Sequence, residues 1–175
     1  MLNYIVISAL GQDRPGIVKE VSKTILDCGG NITESRMSVL GDEFALMVMV
    51  TGADQTIAAV EEALNSLKKK LDLTIISKKT SKRTAQQAKI PYKIEIISMD
   101  HPGIVHNVTD YLSAKHINVE ELSTNSYSAA HTGTPMFSLD INITIPDNIN
   151  VSNFKKEFTA FCDELNLDVS LKPCK

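Results

Sequence analysis

Two short stretches hold the residues of this chain that could do chemistry on a small molecule: Asp13-Arg14-Pro15-Gly16-Ile17-Val18 and, 87 positions later, Asp100-His101-Pro102-Gly103-Ile104-Val105. In each, an apolar run ends in a turn and a helical pattern begins beside the glycine. A helix start presents unpaired amides and the positive end of its dipole, which favours a carboxylate. The aspartate nearby could meet an ammonium, and a glycine leaves room for a molecule to approach the backbone. Donors for a carboxylate beside an acceptor for an ammonium suit a free amino acid. The same residues also fit a purely structural role, in which Asp13 and Asp100 cap the helices, Pro15 opens the first helical turn and nothing binds.

No other arrangement assembles a reactive group. His101, His106, His116 and His131 all lie in the second half, and Ser, His and Asp form no nucleophile elbow or triad-like pattern. Cys28, Cys162 and Cys174 are an odd set without C-x-x-C pairing or histidines at metal-ligand spacing, which argues against a zinc site or a disulfide framework. The expectation is a chain that is not an enzyme and carries no cofactor or metal.

The elements that must position the two turns repeat as well. At the same offset Ile7 matches Ile94, Asn31 matches Asn118 and Glu34 matches Glu121. Phe44-x-Leu46-x-Val48-x-Val50 then matches Phe137-x-Leu139-x-Ile141-x-Ile143, and the extra residues of the second copy fall between Ser128 and Pro135 as a loop. Ile57, Val60, Leu64, Leu67 and Leu71 match Val151, Phe154, Phe158, Phe161 and Leu165, each set advancing by three and four residues along one helix face. In the first copy the pattern predicts strands over 4–10, 31–40, 43–51 and 73–79, with a hairpin at Gly41-Asp42 and a helix ended by Gly29-Gly30. The second predicts strands over 91–98, 118–129, 136–145 and 167–171 with helices over 103–115 and 152–165. The order is βαββαβ twice, and right-handed crossovers put both helices on one face of each antiparallel sheet. The fold class is α+β: two ferredoxin-like domains, 1–80 and 91–175, joined by a polar linker, 81–90.

A net charge of −3 over 175 residues offers no general footprint for nucleic acid. The locally basic run from Lys68 to Lys89 reads as a solvated helix end and linker. No apolar stretch approaches the roughly 18 residues of a membrane helix, and the N-terminus lacks the regions of a signal peptide. A cytoplasmic protein is expected, without direct nucleic-acid or membrane contact.

The copies differ on one face. The alternate residues of the third strand are Ala45, Met47 and Met49 in the first copy but Ser138, Asp140 and Asn142 in the second, and in the first strand Val6 and Ser8 stand against Lys93 and Glu95. With helices on the other face, the first sheet shows solvent an apolar surface, and such a surface is usually covered. Val6, Ala45, Met47 and Met49 are therefore expected to form an interface, in a homodimer or with another protein.

The βαββαβ plan, the D-[RH]-P-G-I-V turn and the Asn31-Ile32 and Asn118-Val119 strand openings resemble ACT domains, which serve as amino-acid-sensing modules. Two of them filling a chain resemble the glycine cleavage system transcriptional repressor family. That resemblance implies a non-enzymatic regulator that answers to glycine or a similar amino acid and acts on a transcription factor by protein contact. It also implies ligand sites at interfaces between such domains, near the first turn and the start of the second strand. Those positions are Asp13, Arg14, Pro15, Gly16, Ile17 and Asn31 in the first copy, and Asp100, His101, Pro102, Gly103, Ile104 and Asn118 in the second. The second copy departs in having His101 for Arg14 and a longer loop. Three other readings stand beside it: a module acting on a metabolic enzyme, the regulatory half of an enzyme such as formyltetrahydrofolate deformylase, for which the chain is too short, and a scaffold whose turns bind nothing.

Overall fold

The computed structural model describes residues 2–82 and 90–174, so the middle of the expected linker lies outside the described residues. The chain divides into two compact units, Met1–Thr84 and Ala85–Lys175. The first unit runs β1 (Asn3–Gln12), α1 (Ile17–Asp27), β2 (Asn31–Leu40), β3 (Glu43–Gly52), α2 (Asp54–Leu71) and β4 (Thr74–Thr80). The second runs β5 (Ile90–Met99), α3 (Ile104–Ala114), β6 (Asn118–Ser128), β7 (Pro135–Ile145), α4 (Val151–Glu164) and β8 (Asp168–Pro173). The expected α+β plan is present in both, with strand ends shifted by one or two residues.

The sheets are antiparallel, in the orders β2-β3-β1-β4 and β6-β7-β5-β8. Alternation decides what each face holds. In the first unit Ile5, Ile7 and Ala9 of β1 and Phe44, Leu46, Val48 and Val50 of β3 point one way, onto Ile17, Val21 and Ile25 of α1 and Ile57, Val60, Leu64 and Leu67 of α2. In the second unit Ile94, Ile96, Leu139, Ile141 and Ile143 meet Ile104, Val108 and Leu112 of α3 and Phe154, Phe158 and Cys162 of α4.

The two cores are filled differently. The stripe of α2 is aliphatic, whereas in the second unit Phe154 stacks on Phe158 at 5.6 Å and Tyr111 on Phe161 at 4.4 Å. Cys162 lies inside that aromatic core, where burial pushes its thiol up to about 12. Cys28 is half-buried and Cys174 exposed, and all three cysteines are free.

Gly41 has φ 63° in the β2–β3 hairpin, where Leu40 pairs with Glu43, as the Gly-Asp turn predicts. The same register shift interrupts β2 between Ile32 and Glu34 and β6 between Val119 and Glu121, so the repeat reaches down to a bulge.

Candidate functional site

The turn between β1 and α1 is built from three directions. Gln12 closes the β1–β3 ladder against Glu43, and the next amide, that of Asp13, donates to the Asp42 carbonyl at 2.9 Å. Arg14 crosses to donate to the Leu71 carbonyl at the C-terminal end of α2, where a cation also meets the negative end of the helix dipole. The turn is thus pinned to the β2–β3 hairpin and to α2. In the second unit the Asp100 amide donates to the Pro135 carbonyl at 3.0 Å, at the end of the longer loop. His101 stays local, its Nδ1 lying 3.2 Å from the Pro102 carbonyl oxygen. Hairpin and helix-end partners such as Asp42 and Leu71 carry no motif of their own, and only the Gly41-Asp42 turn signal hinted at one of them.

Gly16 and Gly103 are the N-caps of α1 and α3, with φ 98°, ψ −9° and φ 98°, ψ −10°. An L side chain is strained there, so glycine is required by conformation. An added Cβ at Gly16 would meet nothing within 4 Å, and one at Gly103 only Asn107 Nδ2 at an ordinary 3.7 Å. The space over the backbone is open.

This corrects the capping reading of the aspartates. Neither Asp13 nor Asp100 caps its helix: the cap position belongs to a glycine, no side chain replaces it, and Pro15 and Pro102 precede the cap instead of opening the helix. A left-handed glycine redirects the chain just before the helix, which leaves the aspartate three residues back outside the cap. By contrast, α4 is capped conventionally by the Asn150 side chain, which accepts from the Asn153 amide at 3.0 Å. The first-turn amides of α1 and α3 therefore have no side-chain cap and can meet an anion.

The structure does not bring the asparagines to the turns of their own units. Asn31 pairs with Thr51, which pairs with Tyr4, while the turn leaves β1 beyond Gln12. At about 3.3 Å per residue these points are roughly 26 Å apart. Asn118 sits likewise at the start of β6 opposite Thr144, and its side-chain Nδ2 donates to Glu120 Oε1 at 2.8 Å. A site that used both a turn and a strand opening would need a second domain to supply one of them.

Val6, Ala45, Met47 and Met49 do share the face turned away from the helices. Register arranges that face in rows: Glu34–Met49–Val6–Lys78, then Arg36–Met47–Ser8–Ile76, then Ser38–Ala45–Leu10–Thr74. Two residues join this face beyond those expected: Leu10, which continues the Val6 and Ser8 alternation along β1, and Ile76, which only the β1–β4 register places there; they are 50% and 66% exposed beside Met47 at 51%. A shallow groove of about 180 Å³ runs between Val6, Met47, Met49, Glu34 and Arg36.

On the second sheet the matching positions hold an ionic network. Lys93 sits 2.7 Å from Asp140 and 2.8 Å from Glu95, and Lys172 reaches Glu95 at 3.2 Å. Hydrogen bonds to Asp140 and Glu95 hold the Lys93 ammonium well above its ordinary value, and hydrogen bonds from Lys93 and Lys172 hold Glu95 below the usual 4.5. Asn142 donates to Glu121 at 2.9 Å, extending the network toward β6. Among the described residues no cluster of three or more His, Cys, Asp or Glu is placed to hold a metal, and no helix is long and apolar enough to cross a membrane.

Two βαββαβ units, each with a left-handed glycine at its first turn, have the plan of a tandem ACT-domain protein, and residues 3–78 match the ACT domain family. The chain is 31% identical over 169 residues to the glycine cleavage system transcriptional repressor of Escherichia coli strain K12, covering 97% of this chain and 89% of that protein. A crystal structure provisionally assigned as a glycine cleavage system transcriptional repressor matches with a TM-score of 0.76 and 28% identity, covering 100% of this chain and 99% of the other. An unknown protein from Galdieria sulphuraria matches with a TM-score of 0.77 and 25% identity over 100% of both chains. The chain belongs to the glycine cleavage system transcriptional repressor family.

Proposed function

We propose that this chain is a non-enzymatic, cytoplasmic regulator that binds a small amino acid, glycine or a close relative, and modulates a transcription factor of glycine cleavage genes by protein contact. The observation that carries the ligand half is the pair of uncapped helix starts under left-handed glycines, with open space above the backbone. The ligand carboxylate takes the first-turn amides, and Asp13 or Asp100 accepts from its ammonium. Arg14, bonded to Leu71, sets the turn in the first unit, and His101 borders the turn in the second. Pro15, Ile17, Pro102 and Ile104 frame the turns, and Asn31 or Asn118 joins only where another domain presents a strand opening. Protein contact in place of DNA contact is supported by the net charge of −3, and the role in transcription by family membership.

Calorimetry with glycine, serine and alanine tests the ligand half, on the wild type and on Gly16→Val and Gly103→Val shown to be folded by circular dichroism. Affinity should fall in the variant whose turn binds. Unchanged affinity in both folded variants removes the turns from the site. The regulatory half is tested by capture of the transcription factor of the glycine cleavage genes on immobilised chain, with and without glycine. Capture that ignores every amino acid, or direct binding of the chain to operator DNA, defeats it.

A further inference from the structure

The rows on the open face of the first sheet are self-complementary. In Glu34–Met49–Val6–Lys78 an acid stands at one edge, a base at the other and two apolar side chains between them. A two-fold axis along the strands, between β3 and β1, lays β2 of one copy over β4 of the other and β3 over β1. Glu34 then faces Lys78 twice, and Met49 faces Val6. The next rows match by size: Met47 falls over Ser8, Leu10 over Ala45, and the stem of Arg36 over Ile76. Lys78 sharpens the point. Its counterpart Lys172 is paired with Glu95, but Ser8 stands where Glu95 would be, and among the described residues Lys78 has no anionic partner.

Area permits the contact. Four strands about 4.8 Å apart and roughly seven residues long make a face of about 450 Å² per copy, so about 900 Å² in all before side-chain relief is counted, near the lower bound for a specific interface. Aligned sheets pack within about 30° of parallel, which keeps the central rows opposed. We infer that the chain forms a homodimer through this face, sheet on sheet, with the strands along the two-fold axis and Val6, Ala45, Met47 and Met49 at its centre.

The second unit supplies the control. Val6→Lys with Met47→Asp places on the first sheet the residues that the second sheet carries as Lys93 and Asp140, a pair 2.7 Å apart there, so the double variant has an internal partner for each charge. Measured on the full chain by sedimentation equilibrium, the wild type should be a dimer and this variant a folded monomer. Glu34→Lys alone and Lys78→Glu alone each set like charges against one another twice and should weaken the dimer about tenfold. Mixing the two single variants should restore association as heterodimers. The lysine introduced in one copy then faces the glutamate introduced in the other, and the unaltered Lys78 of the first faces the unaltered Glu34 of the second. A monomeric wild type at the highest concentration reached, or a folded double variant that keeps the wild-type mass, overturns the inference. Charge variants that are unaffected, or that mixing does not rescue, overturn the two-fold geometry. Loss of a transcription factor from a double variant whose mass is unchanged gives the face to that partner and overturns it as well.

Discussion

The two sheets present opposite answers to one question: what an open face does when helices cover only the other side. In the second unit Lys93, Asp140, Glu95 and Lys172 bind one another and leave the face polar. In the first unit the matching positions are Val6, Met47, Ser8 and Lys78, and the face is apolar, with Lys78 at its edge lacking an anionic partner among the described residues. The inward faces diverged much less, since both must fill the space under two helices. A duplicated domain keeps its fold through the face that packs and is free to change the face that does not. Exposed ion pairs add little stability, so the network of the second sheet is better understood as keeping that face wet than as holding the unit together.

The greatest loss should come from the two cores. Phe158→Ala, at a position 1% exposed in the aromatic core, should cost the second unit about 3–5 kcal/mol, and the matching Leu64→Ala should cost the first about 2–5 kcal/mol. Urea denaturation followed by circular dichroism measures both. If the leucine variant loses more, aromatic stacking is not what distinguishes the cores.

Gly16→Ala and Gly103→Ala should each cost about 1–2 kcal/mol by forcing an L residue into a left-handed conformation. Because both glycines have φ 98°, the costs should be equal, and a large difference in denaturation midpoints would break the equivalence of the turns.

A smaller effect concerns acid. Glu95 is held below its ordinary 4.5, so the folded unit binds fewer protons there than the unfolded chain. Its contribution is present above that value and lost as pH falls through the lower folded one. Lys93→Met removes the main cause and should flatten the acid-side fall in the melting temperature of the second unit, a change read from melts between neutral pH and about pH 3. An unchanged slope would mean that Lys172 alone holds Glu95.

The mildest difference is kinetic. A thiol reagent at neutral pH should label exposed Cys174 first, half-buried Cys28 more slowly, and Cys162 only when the second unit opens, since burial pushes that thiol up to about 12. Labelling of Cys162 before Cys28 would make the aromatic core the looser of the two.

Much of this was legible from residue types and spacing. The stripes Ile57 to Leu71 and Val151 to Leu165 show helices because burial selects one face at a period near 3.6, and the alternation Ala45, Met47, Met49 shows a strand because pleating selects every second residue. The contrast with Ser138, Asp140 and Asn142 survived intact for the same reason. The candidate site was less legible. Asp13 and Asp100 fit a cap by type and position, but a backbone dihedral at Gly16 and Gly103 moved the cap onto the glycine. Asn31 and Asp13 both belong to one small unit, yet β1 holds them at opposite ends of the sheet.

Periodicity and repetition are properties of the chain read locally, so the duplicated βαββαβ order, the core faces and the apolar character of one open face were all present in the residues themselves. Which of those residues stand side by side on that face is a tertiary matter. Rows such as Glu34–Met49–Val6–Lys78 join four strands through antiparallel register. Register is set by hairpins, bulges and core packing together, and a slip of one residue in any strand would turn a different set of side chains outward.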